Sequence, residues 1–318
     1  MNHARIIGTG GYLPEKVLTN ADLEQMIETT ADWIVERTGV EERHVAAPGE
    51  TTCDLAEQAS RRALEAAGIE PRDIDLIVLG TTTPDHVFPS VATQLQHRLG
   101  CHGGPAFDVQ AVCTGFVYAM DIARRFIAPA RAAGAGGRGG YLHPHHRLAG
   151  SRYLHPVRRR RRRGGAGSGG RTGYHRQPAA RRRPLQGVVV GAGRRVQRLR
   201  PDSRKRRFRG DARQRSVQGG GHTLKEIAEQ ILTANNMTVA DVDWLIPHQA
   251  NRRILAATAK RLGLPEERMV DCVRLHGNTS AASVPLALDV AVRDGRIQRG
   301  DTYCWKASAA GSPGARCC

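Results

Sequence analysis

At 318 residues the chain is long enough to bury a large core, as one α/β domain or as two fused halves. A formal net charge of +18 would ordinarily imply a polyanion partner. However, 26 basic and only 2 acidic residues fall between Ile127 and Gly221, leaving 22 basic against 28 acidic elsewhere, so a mildly acidic protein is interrupted by a very basic block.

In chain order, Ala4–Gly8 reads as a first strand turning at Gly10-Gly11. Thr19–Arg37 reads as helical with Asn20 as its cap, and Thr52–Ala67 as a second helix stopped by Gly68, the residue that best tolerates the left-handed conformation after a helix end. Ile74–Gly80 is an uninterrupted apolar run of the kind buried on both faces of a parallel sheet. Ala111–Ile127 reads as a helix with Phe116, Val117, Met120, Ala123 and Ile127 on its inner side. The pattern then repeats. Ala66-Ala-Gly-Ile-Glu-Pro-Arg-Asp-Ile-Asp75-Leu-Ile-Val matches Ala234-Asn-Asn-Met-Thr-Val-Ala-Asp-Val-Asp243-Trp-Leu-Ile at a constant offset of 168. Each copy is a helix end, a short turn and a buried strand, which predicts two related halves.

Seven cysteines (Cys53, Cys101, Cys113, Cys272, Cys304, Cys317 and Cys318) show no C-x-x-C pair, which favours a reducing cytoplasm over a disulfide framework. No charged-then-apolar leader and no membrane-length apolar run are found, so a soluble cytoplasmic protein with no membrane partner is expected.

The block from 127 to 221 has many Arg and Gly and no apolar periodicity. It reads as a disordered linker, as an RNA-binding Arg/Gly tract, or as a stretch translated out of frame. The third reading accounts for most. Pro156–Ala166 can be encoded so that a start one nucleotide later gives Leu-Phe-Gly-Asp-Gly-Ala-Gly-Ala-Val-Val-Leu, a glycine turn and strand. Gln214–Gly221 under the same shift can give Asn-Ala-Val-Phe-Lys-Val-Ala-Val, which runs into the helix His222-Thr-Leu-Lys-Glu-Ile. Tyr303–Cys318, two nucleotides later, can give Leu-Leu-Glu-Gly-Val-Gly-Gly-Gly-Phe-Thr-Trp-Gly-Ala-Val-Leu. Three matches that join sensible neighbours imply compensating insertions or deletions near residues 127 and 221, and one more near 302. The middle segment as written is then expected to be disordered or misfolded. His143-Pro-His-His146, Val190-Gly-Ala-Gly193 and Cys317-Cys318 fall in these stretches and are set aside as sites.

Three motifs carry chemistry: Asp108-Val-Gln-Ala-Val-Cys113-Thr-Gly-Phe116, Ile246-Pro-His248-Gln-Ala-Asn251 and His276-Gly-Asn278-Thr-Ser-Ala-Ala-Ser283. Cys113 lies at the start of a helix, at the positive end of its dipole, where a sulfur is suited to attack a thioester and hold the acyl group. A lone cysteine is otherwise a small buried hydrophobe. His248, just beyond the second-half strand where open α/β sheets place ligands, can donate a hydrogen bond to an enolate oxygen; the alternative is a surface histidine on a turn. Asn278 can be a second donor or a turn asparagine.

Together these motifs resemble the 3-oxoacyl-[acyl-carrier-protein] synthase III family of the thiolase-like superfamily, over residues 1–126 and 222–302. Ile7-Gly-Thr-Gly, Tyr12-Leu-Pro, Asp32-Trp-Ile-Val-Glu-Arg-Thr-Gly39, Glu42-Arg-His, Asp108–Phe116, Pro247–Asn251 and Gly277–Pro285 fall in family order. The resemblance implies a five-layer αβαβα fold of two duplicated halves (1–170 and 171–318) that works as a homodimer without a metal or redox cofactor. It also implies a decarboxylative condensation of acetyl-CoA with malonyl-acyl carrier protein to acetoacetyl-acyl carrier protein. Cys113 would take the acetyl group, and His248 and Asn278 would assist decarboxylation and stabilise the enolate. Thr29, Trp33 and Arg37 would hold CoA, with Asn251 near its pantetheine arm, and Phe88 would shape the acyl pocket at the dimer interface. Arg253, Lys260 and Arg261 would form a basic face for the acidic carrier protein, in place of a merely solvated helix face.

Two departures matter. The family's glycine-rich C-terminal loop, which supplies one oxyanion donor, is absent from the written tail; such a donor is typically worth ~10²–10³ in rate. The middle block would normally supply core strands and dimer contacts. The chain as written is therefore expected to fold poorly or be inactive. A relative that uses branched or longer acyl-CoA primers, or a non-catalytic nucleic-acid-binding protein built on the Arg tract, are the alternative readings.

Overall fold

In this computed structural model the described residues are 4–127, 187–191, 229–230, 232–233, 235–307 and 315–317. The second-frame stretches at 156–166 and 214–221, and the His143–His146 and Ala192–Gly193 motif positions, lie outside them. Among the described residues no helix is long and apolar enough to cross a membrane.

Strand β1 (Lys16–Thr19) pairs antiparallel with β2 (Glu42–Val45) as a two-stranded ribbon. Between them, the single helix expected over 19–37 is two: α1 (Asn20–Met26) and α2 (Ala31–Thr38). The cap of α1 is Thr19, not Asn20. Its Oγ1 accepts the Asp22 amide at 3.2 Å while the Asp22 carboxylate accepts the Thr19 amide at 2.8 Å, a reciprocal capping box. The helix stops where Ile27 turns extended (φ −143°), and Thr30 caps α2 by accepting the Trp33 amide. Asn20 is buried instead and donates to the Val40 carbonyl.

Helix α3 (Thr52–Ala67) ends at Gly68 in the left-handed conformation, φ +65°. Strand β3 (Leu76–Gly80) is buried at every position. It is flanked in parallel by β4 (Ala106–Val109) on one side and β5 (Gly187–Gly191) on the other. Helix α4 (Val91–Leu99) joins β3 to β4. Helix α5 (Gly115–Ile127) is preceded by a tight turn, Val112–Thr114. On α5, Phe116, Val117 and Ala123 are buried as expected, while Met120 and Ile127 are half-buried.

The second half repeats the first. Strand β6 (Trp244–Pro247) runs parallel to β7 (Tyr303–Ala307), makes a parallel bridge to Met269 on its other side, and β7 pairs antiparallel with β8 (Ala315–Cys317). Helices α6 (Arg252–Leu262), α7 (Val273–His276) and α8 (Ser283–Arg293) complete it. The 168-residue offset holds in the backbone at two turns. The Ile69 amide donates to Leu64 O and the Met237 amide to Leu232 O. Gly68 and Asn236 both take positive φ, +65° and +56°. The turn Val112–Thr114 before α5 corresponds to Ser280–Ala282 before α8, each opening on a left-handed residue: Val112 at φ +47° and Ser280 at φ +55°. A β-branched residue such as Val112 pays steric strain there, of order 1–3 kcal/mol.

Ala4–Gly8 is not a strand. Among the described residues the backbone of 4–14 forms no sheet pairing; its carbonyls at Pro14 and Gly11 are met by the side chains of His44 and Arg62. The tail, by contrast, contributes β7, whose Cys304, Trp305 and Ala307 are buried. Phe116, Ile246, Val284 and Trp305 share one core cluster that joins the two halves.

Candidate active site

The two matching turns face each other. Gly115, at the start of α5, lies so close to both β3 and the opposite turn that an added Cβ would sit 3.2 Å from Ala281 Cβ and 3.4 Å from Gly80 Cα. Gly80 is tighter still, with Gly115 backbone carbon 2.8 Å from such a Cβ, so side chains at these two positions would push the turn off the sheet. Cys113 rides on this turn.

The Ser280 hydroxyl reaches Cys113 Sγ at 3.7 Å, and the Ser280 amide donates to Asn278 Oδ1 at 3.0 Å. Ser280 thus ties the thiol to the asparagine and holds the Asn278 carbonyl oxygen occupied, leaving the amide NH₂ as its donor. Three residues on, the buried Ser283 hydroxyl lies 2.6 Å from His248 Nδ1. The segment from Asn278 to Ser283 is therefore where all three expected residues converge. Of the three, only Asn278 lines the large neighbouring cavity. Ser280 and Ser283 belong to the third motif, and their small polar side chains beside Asn278 are the sequence signal for these links.

Burial pushes the His248 imidazole down to about 4, so it is neutral near pH 7 and can act as a hydrogen-bond donor. Two other cysteines, Cys53 and Cys272, are deeply buried. Burial raises Cys53 to about 11 and Cys272 to about 12, keeping both as thiols. Among the described residues no three His, Cys, Asp or Glu side chains are grouped to hold a metal ion.

A stability test follows from His248. Its folded pKa lies below the ordinary value of 6.5, so the unfolded chain binds the proton first. Stability is complete above about pH 6.5 and falls as pH drops toward 4, by up to about 3 kcal/mol at 1.36 kcal/mol per unit. His276, lowered by burial and then by His44, adds in the same direction. Urea midpoints at pH 7.5, 6 and 5 should decline in that order, and His248→Gln should flatten the decline. Equal midpoints would contradict the assignment of a buried neutral imidazole.

The expected CoA residues form one ridge. Asn251 caps α6 by accepting the Arg253 amide at 2.9 Å, and its Nδ2 donates to the Arg37 carbonyl at 2.7 Å, locking α6 to α2. Trp33 is 52% exposed on α2, a flat ring open to a ligand, with Arg37 exposed one turn on and Thr29 half-buried before the helix. Arg253, Lys260 and Arg261 are exposed on α6, and among the described residues none of them forms an ion pair. Phe88 is 88% exposed on the loop between β3 and α4. Two carboxylates fix that loop, Asp85 from its middle and Asp108 at its end. Asp85 accepts the Thr52 and Cys53 amides (2.7 and 2.9 Å), and Asp108 accepts the Val91 and Ala92 amides (2.9 and 2.8 Å). Of the written tail, 303–318, where the glycine-rich oxyanion loop is expected to be missing, residues 308–314 and 318 lie outside the described residues.

Residues 232–315 match the family model for the C-terminal part of 3-oxoacyl-[acyl-carrier-protein] synthase III. The beta-ketoacyl-[acyl-carrier-protein] synthase III of Thioalkalivibrio sulfidiphilus is 46% identical, over 98% of this chain and 97% of its own. That of Thiobacillus denitrificans is 44% identical, over 98% and 97%. Among solved structures, 3-oxoacyl-[acyl-carrier-protein] synthase III of Aquifex aeolicus aligns with a TM-score of 0.72 at 28% identity over 95% of each chain. The Pseudomonas aeruginosa enzyme gives 0.68 at 29%, over 99% of this chain and 98% of that one. Duplicated halves and a turn-borne cysteine on this scaffold define a condensing acyltransferase of the thiolase-like α/β class. The chain belongs to the beta-ketoacyl-[acyl-carrier-protein] synthase III family.

Proposed function

We propose that the protein condenses acetyl-CoA with malonyl-acyl carrier protein to acetoacetyl-acyl carrier protein, the first carbon–carbon bond of fatty-acid synthesis. The single observation that supports this best is the joining of Cys113 to Asn278 through Ser280, with His248 held by Ser283 on the same segment. Cys113 Sγ attacks the acetyl carbonyl, CoA leaves as the thiol, and the acetyl group stays on sulfur. Malonyl on the carrier protein then loses carbon dioxide, and its carbonyl oxygen gains negative charge. The NH groups of neutral His248 and of Asn278 suit that oxygen, because donors fixed before charge develops need no reorganisation. The resulting carbanion attacks the acetyl-cysteine and regenerates the sulfur. Trp33, Arg37, Thr29 and Asn251 receive the CoA, and Arg253, Lys260 and Arg261 face the acidic carrier protein. A cytoplasmic homodimer with Phe88 at the pocket completes the reading.

The test is condensation with malonyl-acyl carrier protein and acetyl-, isobutyryl- or octanoyl-CoA, run on the chain as written and on a chain with both frames restored. Acetyl-CoA should be the best primer for the restored chain. The written chain should be slower by at least ~10²–10³, the worth of one oxyanion donor. A restored chain that prefers isobutyryl- or octanoyl-CoA would overturn the substrate assignment.

A further inference from the structure

Gln249 stands next to His248 with no exposed surface, and among the described residues it is the one polar group in the set of largest fully buried side chains. A primary amide loses its hydration on burial and is tolerated only where its hydrogen bonds are replaced. Here both donors and the acceptor are used. Nε2 donates to the carbonyls of Pro247 at 2.8 Å and Val270 at 3.0 Å, and Oε1 accepts the Cys272 amide at 2.9 Å.

Those three backbone groups are the ones an interrupted ladder leaves over. Leu245 bridges Met269 in parallel, and the Val270 amide donates to the Leu245 carbonyl at 2.9 Å. Rungs of a parallel ladder recur at every second residue along a strand. The next rung would carry the residue-247 N–H to the Val270 carbonyl and the Cys272 amide to the residue-247 carbonyl. Position 247 is proline, which has no N–H to give. The Gln249 amide fills that rung instead, reaching back to stand between the end of β6 and residues 269–272.

The two segments it joins are those that carry the enolate donors. His248 lies between Pro247 and Gln249, so its backbone is held on both sides by the same amide. Cys272 is fixed through its N–H by Gln249 and through its carbonyl by the His276 amide at 3.0 Å, and Asn278 follows two residues on. Ser283 then ties the far end of that segment back to His248 Nδ1.

We propose that Gln249 is a positioning residue for the condensation, its side-chain amide serving as the backbone rung that Pro247 lacks and so setting His248 against Asn278. Its part rests on the proposed function, in which these two side chains share one enolate oxygen. Gln249 acts through them and forms no bond with Cys113, so its loss is felt in decarboxylation and not in acylation.

The test compares the full chain with Gln249→Met and with the double variant Pro247→Ala/Gln249→Met. Methionine keeps the reach of the side chain and removes the amide, while alanine at 247 returns the missing N–H. Gln249→Met should release carbon dioxide from malonyl-acyl carrier protein about 10- to 10²-fold more slowly, the scale of a small misplacement at the reacting centre. Acetylation of Cys113 by acetyl-CoA should keep the parent rate, and the double variant should recover most of the lost decarboxylation. Amide exchange at Cys272, which needs no turnover, should be about 10-fold faster in Gln249→Met and slow again in the double variant. An equal fall in acetylation and decarboxylation marks an amide with a general structural part and overturns the proposal. So does a double variant no better than Gln249→Met in folding or in rate. A parent chain that releases no carbon dioxide counts against the function itself; faster Cys272 exchange in Gln249→Met then still supports the rung, and unchanged exchange overturns it.

Discussion

Cys113→Ala in the frame-restored chain is expected to abolish acyl-enzyme formation and to lower condensation by about 10⁴–10⁶-fold, the scale on which loss of a catalytic nucleophile is felt. The thiol is the group assigned to hold the acyl chain covalently; of the hydroxyls near it, Ser280 is tied to it at 3.7 Å and Ser283 is engaged by His248. The variant should nevertheless still decarboxylate malonyl-acyl carrier protein, because that half-reaction draws on His248 and Asn278 and forms no bond to sulfur. Radiolabel from acetyl-CoA on the protein and carbon dioxide release measure the two halves separately. Label retained at wild-type level by Cys113→Ala would remove the nucleophile from the mechanism.

The mirror-image result is expected for His248→Ala and Asn278→Ala. Each removes one donor to the enolate oxygen and should slow decarboxylation and condensation by ~10²–10³. Acylation of Cys113 should survive in both, since Asn278 meets Sγ only through Ser280 and His248 is held by Ser283 instead. The double variant should lose less than the product of the single losses, because the two donors act on one oxygen as a unit. A variant that loses acylation and keeps decarboxylation would reverse the assigned parts.

Much of this was readable from residue order, for identifiable reasons. Helix α3 with its Gly68 stop and the buried run of β3 are set by local rules, left-handed glycine and unbroken apolar burial, so they appear where expected. The duplication was visible because turn, bridge and strand each carry their own signature, and the two copies share even their positive-φ positions. The helix expected over 19–37 broke because Thr19 and Thr30 both outcompete their neighbours for free amides, a choice that helical periodicity does not encode. The first strand failed for a non-local reason: its apolar pattern is right, but a strand exists only beside another, and none lies beside it among the described residues. At the site, Cys113, His248 and Asn278 could be chosen by residue type. Ser280 and Ser283 could not, since what they do depends on two turns meeting across the molecule from positions 167 and 35 residues apart in the chain. Asp85 and Asp108 were missed for the same reason, each capping a helix from a distant position, Asp85 from a loop and Asp108 from β4.

The most direct measurement is mass analysis of the intact protein and of the peptide containing Cys113 after brief exposure to acetyl-CoA with no carrier protein present. A single acetyl group on Cys113, removed on adding malonyl-acyl carrier protein as acetoacetyl product appears, is the predicted result. An acetyl group on any other residue, or product formation with Cys113 never modified, would contradict it.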